Sequence, residues 1–139
     1  MKHLRILLLM LGLLVAACAS AGSRAKANAL DKAQYAYSAA LRWGDVRGAW
    51  MQQDPAWRAA HPLGDFDIDR WKQVQITSYQ VVDSAGGDPD EAIRSIEIGI
   101  ANRNTMAART VTYRETWHYD AAAKTWWVTS GLPDFWNGQ

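Results

Sequence analysis

Cysteine is almost missing from this sequence: Cys18 stands alone among 139 residues, so no disulfide can cross-link the chain internally. Charge of one sign is missing too, since 15 Lys and Arg face 14 Asp and Glu for a net charge of +1. A balanced chain without basic clusters lacks the electrostatic footprint of a nucleic-acid binder. His61 and His118, without thiolates beside them, are too few to build a zinc site and are read as structural. A calcium loop starting at Asp65, Asp67 and Asp69 would need Gly at its sixth place and Glu at its twelfth. Arg70 and Ile76 stand there instead, so helix capping and solvation explain the aspartates better. Ser130 sits between Thr129 and Gly131 and lacks the Gly-x-Ser-x-Gly turn of a serine hydrolase. Gly86 and Gly87 form a turn and not a phosphate loop. Neither a metal nor a cofactor is expected.

What is present begins at the N-terminus. Lys2, His3 and Arg5 give a positive end, residues 6–15 are apolar, and small residues precede Cys18. This is the three-part layout of an export signal. A retained transmembrane helix is the alternative, because residues 6–23 carry no charge. Their second half, however, is mostly Ala, Ser and Gly, whereas a spanning helix wants ~20 predominantly apolar residues. The stretch Leu14, Val15, Ala16, Ala17, Cys18 resembles the lipobox of bacterial lipoproteins. That resemblance implies cleavage between Ala17 and Cys18, with palmitate-type acyl chains on Cys18 anchoring the protein to a membrane. Three chains would hold it firmly, since one alone binds only marginally at ~0.8 kcal/mol per buried CH₂. Ala19 and Ser20 follow, and neither is the Asp that retains such proteins at the inner membrane. The resemblance therefore points to the outer membrane of a Gram-negative bacterium, facing the periplasm. Loss of residues 1–17 removes Lys2 and Arg5 and leaves 13 basic against 14 acidic side chains.

Residues 18–27 are expected to be the lipidated end and a flexible tether, and residues 28–139 a single domain. Asn28 is a plausible N-cap for a helix whose stripe is Leu30, Ala33, Tyr37, Ala40 and Leu41. Gly44 suits the left-handed position after it. Asp45 can cap a second helix carrying Val46, Ala49 and Trp50. Asp54 followed by Pro55 opens a third, which must stop before Pro62. From about Trp71 the period changes to two. Strands are predicted over residues 72–84, 92–101, 109–119 and 125–130, with a loop at residues 102–104 and the turn at residues 86–90. Helices followed by four closely connected strands predict an α+β fold, one antiparallel sheet with helices on one face.

Tyr37, Ser38, Ala39, Ala40 and Leu41, then Gly44, Asp45, Ala49 and Trp50, resemble the opening helices of the nuclear transport factor two-like superfamily. Trp117, Tyr119 and Asp120, then Trp126, Trp127 and Val128, are similar to its last hairpin. Residues 58–63 and 129–133 also resemble a set of small lipoproteins of Gram-negative bacteria. The superfamily resemblance implies a curved, cone-shaped sheet, and its fold hosts isomerases, dehydratases and binding modules alike.

Alternation places Glu115 on the apolar face of its strand, between Tyr113 and Trp117, where an unpaired carboxylate is costly. If that face lines a cavity, Glu115 is a pocket acid whose pKa burial would raise. Otherwise it is a structural ion pair with Arg42 or Arg94, or its face is wet. The eight tryptophans all lie after Cys18; most are expected to build the core, each removing roughly 150–250 Å² from water. Trp127, adjacent to Trp126 on a strand, and Phe135 with Trp136 in the tail are the candidates for a binding surface. The tail is expected to fold back over the sheet. Three functions are open. One is a non-enzymatic outer-membrane lipoprotein binding an envelope protein or a small apolar ligand. Another is an isomerase or dehydratase using Glu115 as its proton-transfer acid and Tyr37 or Tyr113 as oxyanion donor. The third is structural support in an envelope assembly.

Overall fold

A computed structural model describes the backbone of residues 2–137 and the side chains of residues 20–137. Ala17 and Cys18, the expected cleavage and lipidation site, lie outside the described side chains. The chain divides into two compact units between Ala33 and Gln34. Helix α1 (Lys2–Arg42) supplies the first and the opening turns of the second. The helix expected to start at Asn28 is therefore already formed there, and the residues expected to be a tether are helical. Seven of residues 16–29 are alanine, the best helix former, and Gly22 alone does not break such a run. Among the described residues no helix is long and apolar enough to cross a membrane.

Within the second unit, α1 ends at Arg42 and the chain turns at Gly44, whose φ of 73° needs glycine. Asp45 N–H reaches back to Ala40 C=O at 2.8 Å and closes the turn. Helix α2 (Val46–Met51) is capped by Asp45, and α3 (Pro55–Ala60) by Asp54, whose carboxylate accepts Ala56 and Trp57 N–H. Helix α4 (Asp65–Lys72) departs from the expectation that Trp71 and Lys72 begin a strand. Asp65, Phe66, Asp67, Ile68 and Asp69 alternate like a strand. As a helix the same residues place Asp65 and Asp67 in the first turn and Arg70 and Lys72 in the last, which suits the macrodipole. Asp67 also accepts Gly64 N–H at 3.1 Å.

Strands β1 (Val74–Ala85), β2 (Glu91–Asn102), β3 (Ala108–Asp120) and β4 (Thr125–Val128) form one antiparallel meander in that order. The α+β arrangement expected from the sequence is the one found. Residues 52–54 extend it: Val128 N–H bonds Gln52 C=O at 3.0 Å and Asp54 N–H bonds Val128 C=O at 2.8 Å. The helices cover one face of the sheet. Tyr37 and Leu41 from α1 and Ala49 from α2 are fully buried with Ile96 and Ile98 of β2 and Val128 of β4. Period-two alternation on β3 turns Tyr113, Glu115 and Trp117 inward and leaves Thr112, Arg114 and His118 exposed.

The tail closes the core. Phe135 is 1% exposed and meets Trp71 edge-on at 4.9 Å, so the expected fold-back is found. Replacing a well-packed phenylalanine by alanine costs about 3–5 kcal/mol when the cavity stays open. Phe135→Ala should lower the urea-melt stability by that amount; a melt within about 1 kcal/mol of the parent would show that the ring does not hold the core.

Candidate functional site

The most demanding group in the fold is Glu115, a carboxylate with no exposed surface. Register explains its partners: Arg94 lies directly opposite on β2, and Trp117 is two residues along the same face. Arg94 donates to Glu115 Oε1 through Nε at 2.9 Å and Nη2 at 2.5 Å, and Trp117 Nε1 donates to the same oxygen at 2.5 Å. Tyr79 on β1 donates its hydroxyl to Oε2. Of the alternatives open for Glu115, the ion pair with Arg94 is the arrangement found. The Arg94 side chain is 15% exposed.

Beside it lies a chain of neutral groups. Gln53 Nε2 donates to Tyr37 Oη at 3.0 Å, the hydroxyls of Tyr37 and Tyr113 are 3.0 Å apart, and Tyr113 donates to Gly131 C=O at 2.6 Å. Ser130 Oγ lies 2.9 Å from Tyr113 Oη and accepts Thr116 N–H at 3.2 Å. Gly131 adopts φ 78°, and a Cβ there would sit 2.9 Å from the Trp57 ring. Glycine is thus required twice, for the turn and for the close approach. Buried Gln53 Oε1 has no partner among the described residues.

These neighbours push the three phenols in one direction. Burial raises the Tyr37 hydroxyl well above its ordinary value, with Tyr113 adding to the effect. Burial, then the Glu115 charge, raises Tyr79. Burial raises Tyr113 against the opposing hydrogen bonds with Ser130 and Tyr37. The sequence candidates Glu115, Tyr37 and Tyr113 all lie inside the protein: the two tyrosines bond each other, and Glu115 is held by Arg94, Trp117 and Tyr79.

An open concavity lies elsewhere. A groove of about 440 Å³ runs between the helices and the tail, and its walls hold Trp50, Trp57, Trp71 and Trp136. Glu115 is not among its lining residues. The imidazole of His61 stacks on Trp57, with centroids 4.3 Å apart and planes at 12°, and donates from Nδ1 to Trp57 C=O at 2.9 Å. Trp50 Nε1 donates to His61 C=O at 2.8 Å, which ties α2 to the end of α3. Arg70 lies over the Trp136 ring at 4.2 Å. Asp134 orders the tail by accepting Trp136 N–H at 2.9 Å and Asn137 N–H at 3.1 Å. Those bonds hold its carboxyl below the usual range.

Of the surface candidates, Trp136 lines this groove and Phe135 is sealed beneath it, unavailable to a partner. Trp127 is half-buried on the opposite side of β4 from Trp126, with Arg58 at 5.8 Å over its ring. Its Nε1 is buried without a partner among the described residues. Sequence reasoning missed Tyr79, Gln53 and the grouping of Trp50, Trp57 and Trp71. No periodic signal joins residues on several different elements. Among the described residues no group of three or more metal-ligating side chains converges.

No family model and no curated protein matches the chain. Among solved structures it is similar to a ketosteroid isomerase-like protein from Erwinia carotovora atroseptica SCRI1043. That match has 16% identity over 73% of this chain and 89% of the other, with a TM-score of 0.48. It is also similar to a sec-c motif containing protein from Psychrobacter arcticus, with 14% identity over 70% of this chain and 58% of the other and a TM-score of 0.52. The second likeness is one of fold alone, and the chain spans under three fifths of that protein's length.

The buried pair and the phenols each have a measurable consequence. Glu115→Gln leaves the Arg94 guanidinium without its charge partner, and breaking a buried pair from one side costs about 3–5 kcal/mol. A urea-melt loss below about 1 kcal/mol would contradict the buried pair. The three phenols set the alkaline limit. Their folded pKa values lie above the unfolded one, so their contribution is intact below about pH 10 and is lost as pH rises further. Each buried phenol adds a slope of about 1.36 kcal/mol per pH unit. Tyr79→Phe should remove one proton from that slope. Equal alkaline slopes for parent and variant would contradict the assignment.

Proposed function

We propose that this chain is an outer-membrane lipoprotein, held on the periplasmic face by acyl chains on Cys18, whose domain binds a small ligand and performs no catalysis. The anchor rests on the Leu14 to Cys18 match and the positively charged, apolar segment before it. The nuclear transport factor two-like resemblance supplies the scaffold, a helix-covered antiparallel sheet.

One observation carries the non-catalytic part: the carboxylate that would do acid–base work has both oxygens engaged by Arg94, Trp117 and Tyr79. A general base must reach the proton it abstracts. Glu115 would first have to surrender a charged partner. The tryptophan groove is open to solvent, and its volume of about 440 Å³ lies in the range of small-molecule sites, roughly 300–1,000 Å³. A protein partner would need a face of about 800 Å² per side, so the groove favours a small ligand over an envelope protein.

Cys18→Ala should abolish acylation and leave the precursor uncleaved at Ala17. Labelled palmitate in the variant protein would contradict the anchor. For the domain, Glu115→Asp should leave ligand affinity unchanged while Trp57→Ala weakens it; the reverse pattern would return the function to the buried acid.

A further inference from the structure

The groove walls carry more information than their size. Four indoles supply flat apolar area, and between them stand charged side chains, Asp67 and Arg70 on α4 and Asp134 on the tail. The mixture decides among ligand classes. A purely apolar guest would strip water from two carboxylates and a guanidinium without replacing their hydrogen bonds, which costs free energy at each group. An anionic guest, such as a phospholipid headgroup, would meet two carboxylates against one arginine whose charge already lies over Trp136. What suits these walls is an uncharged molecule with apolar faces and hydroxyl edges.

Saccharides have that build. The axial C–H bonds of a pyranose form a weakly positive apolar face that stacks on an indole, whose ring face is negative. The equatorial hydroxyls project sideways, where carboxylates accept and a guanidinium donates. Each carboxylate has about four lone-pair sites. Asp67 gives one contact to Gly64 N–H, and Asp134, whose Oδ1 accepts Trp136 and Asn137 N–H and whose Oδ2 accepts the Asn137 side-chain amide, keeps about one of its four acceptor sites. His61 covers one face of Trp57 and Arg70 one face of Trp136, so these stacks fix the planes of the rings and leave stacking to the other face of each. Fixed rings lower the ordering cost of binding.

Resting on the small-ligand reading above, we infer that the groove between α2, α3, α4 and the tail is a site for a neutral oligosaccharide, with Trp57 and Trp136 as stacking platforms and Asp67 and Asp134 as hydroxyl acceptors.

The test uses the full lipidated chain in lipid nanodiscs. Chitotetraose and maltotetraose are titrated to millimolar concentration and followed by tryptophan fluorescence and calorimetry. Saturable quenching by at least one of the two sugars is expected, weakened about tenfold by Trp57→Ala and by Asp134→Asn, as befits the loss of an anchor residue. Trp57→Tyr should restore part of the affinity, which separates stacking from a folding defect. Suppose neither sugar binds while a proline-rich peptide or an aromatic dye still quenches in a Trp57-dependent way. The saccharide assignment is then overturned and the small-ligand groove stands. If no probe responds to Trp57→Ala or Asp134→Asn, both fall.

Discussion

A fully buried carboxylate is the constraint from which the rest of this fold is arranged. Glu115 occupies the centre of β3 with no exposed surface, and an isolated charge there would be prohibitive. Three elements answer it: β2 brings Arg94 across the ladder, β1 contributes Tyr79, and β3 itself supplies Trp117. Arg42 adds a cation 5.8 Å from the Tyr79 ring, linking α1 to the same region. Replacing such a pair by apolar residues is often neutral or stabilising. The pair therefore need not add net stability, and the geometry offers a different effect. A directional bond set across three strands is satisfied in a single register, whereas isoleucines alone would tolerate a slip.

The polar interior also sets where function can be. Tyr37, Tyr113 and Gln53 fill the space between α1 and the sheet with hydrogen-bonded hydroxyls and an amide, leading to the turn at Gly131. That turn redirects the chain toward the tail. Phe135 then seals the core, and Trp136 is left half-buried above it in the groove with Trp71. The tail residues that finish the fold thus build one wall of the tryptophan groove. The tail thus joins the core to the groove, and α4 shares in both through Trp71 and Arg70.

Much of this was legible in the sequence because it depends on local rules. Caps at Asp45 and Asp54, the left-handed Gly44, the alternation of β3 and the inward Glu115 all follow from neighbours in the chain. Arg94 was one of two partners that charge alone allowed; register on β2 selected it over Arg42. Helix α4 was legible only in part: helix capping was read for its aspartates, but Asp65 to Asp69 alternate as a strand would, and Phe66, which completes that pattern, is 73% exposed. The start of α1 was misjudged because small residues suit both a tether and a helix, and helix propensity won. The groove could not be read at all. Its tryptophans come from α2, α3, α4 and the tail, and only tertiary packing brings them together. A single strand reveals its own faces; a site shared among separate elements does not reveal itself.

Glu115 and Arg94 act as one structural unit and not as an acid with a bystander. A double-mutant cycle measures that directly: Glu115→Gln, Arg94→Met and the double variant, each unfolded in urea at neutral pH. A coupling of about 1–3 kcal/mol is predicted, with the double variant more stable than the two single losses sum to. Additive losses, within about 0.5 kcal/mol, would contradict it and leave Glu115 free for another role.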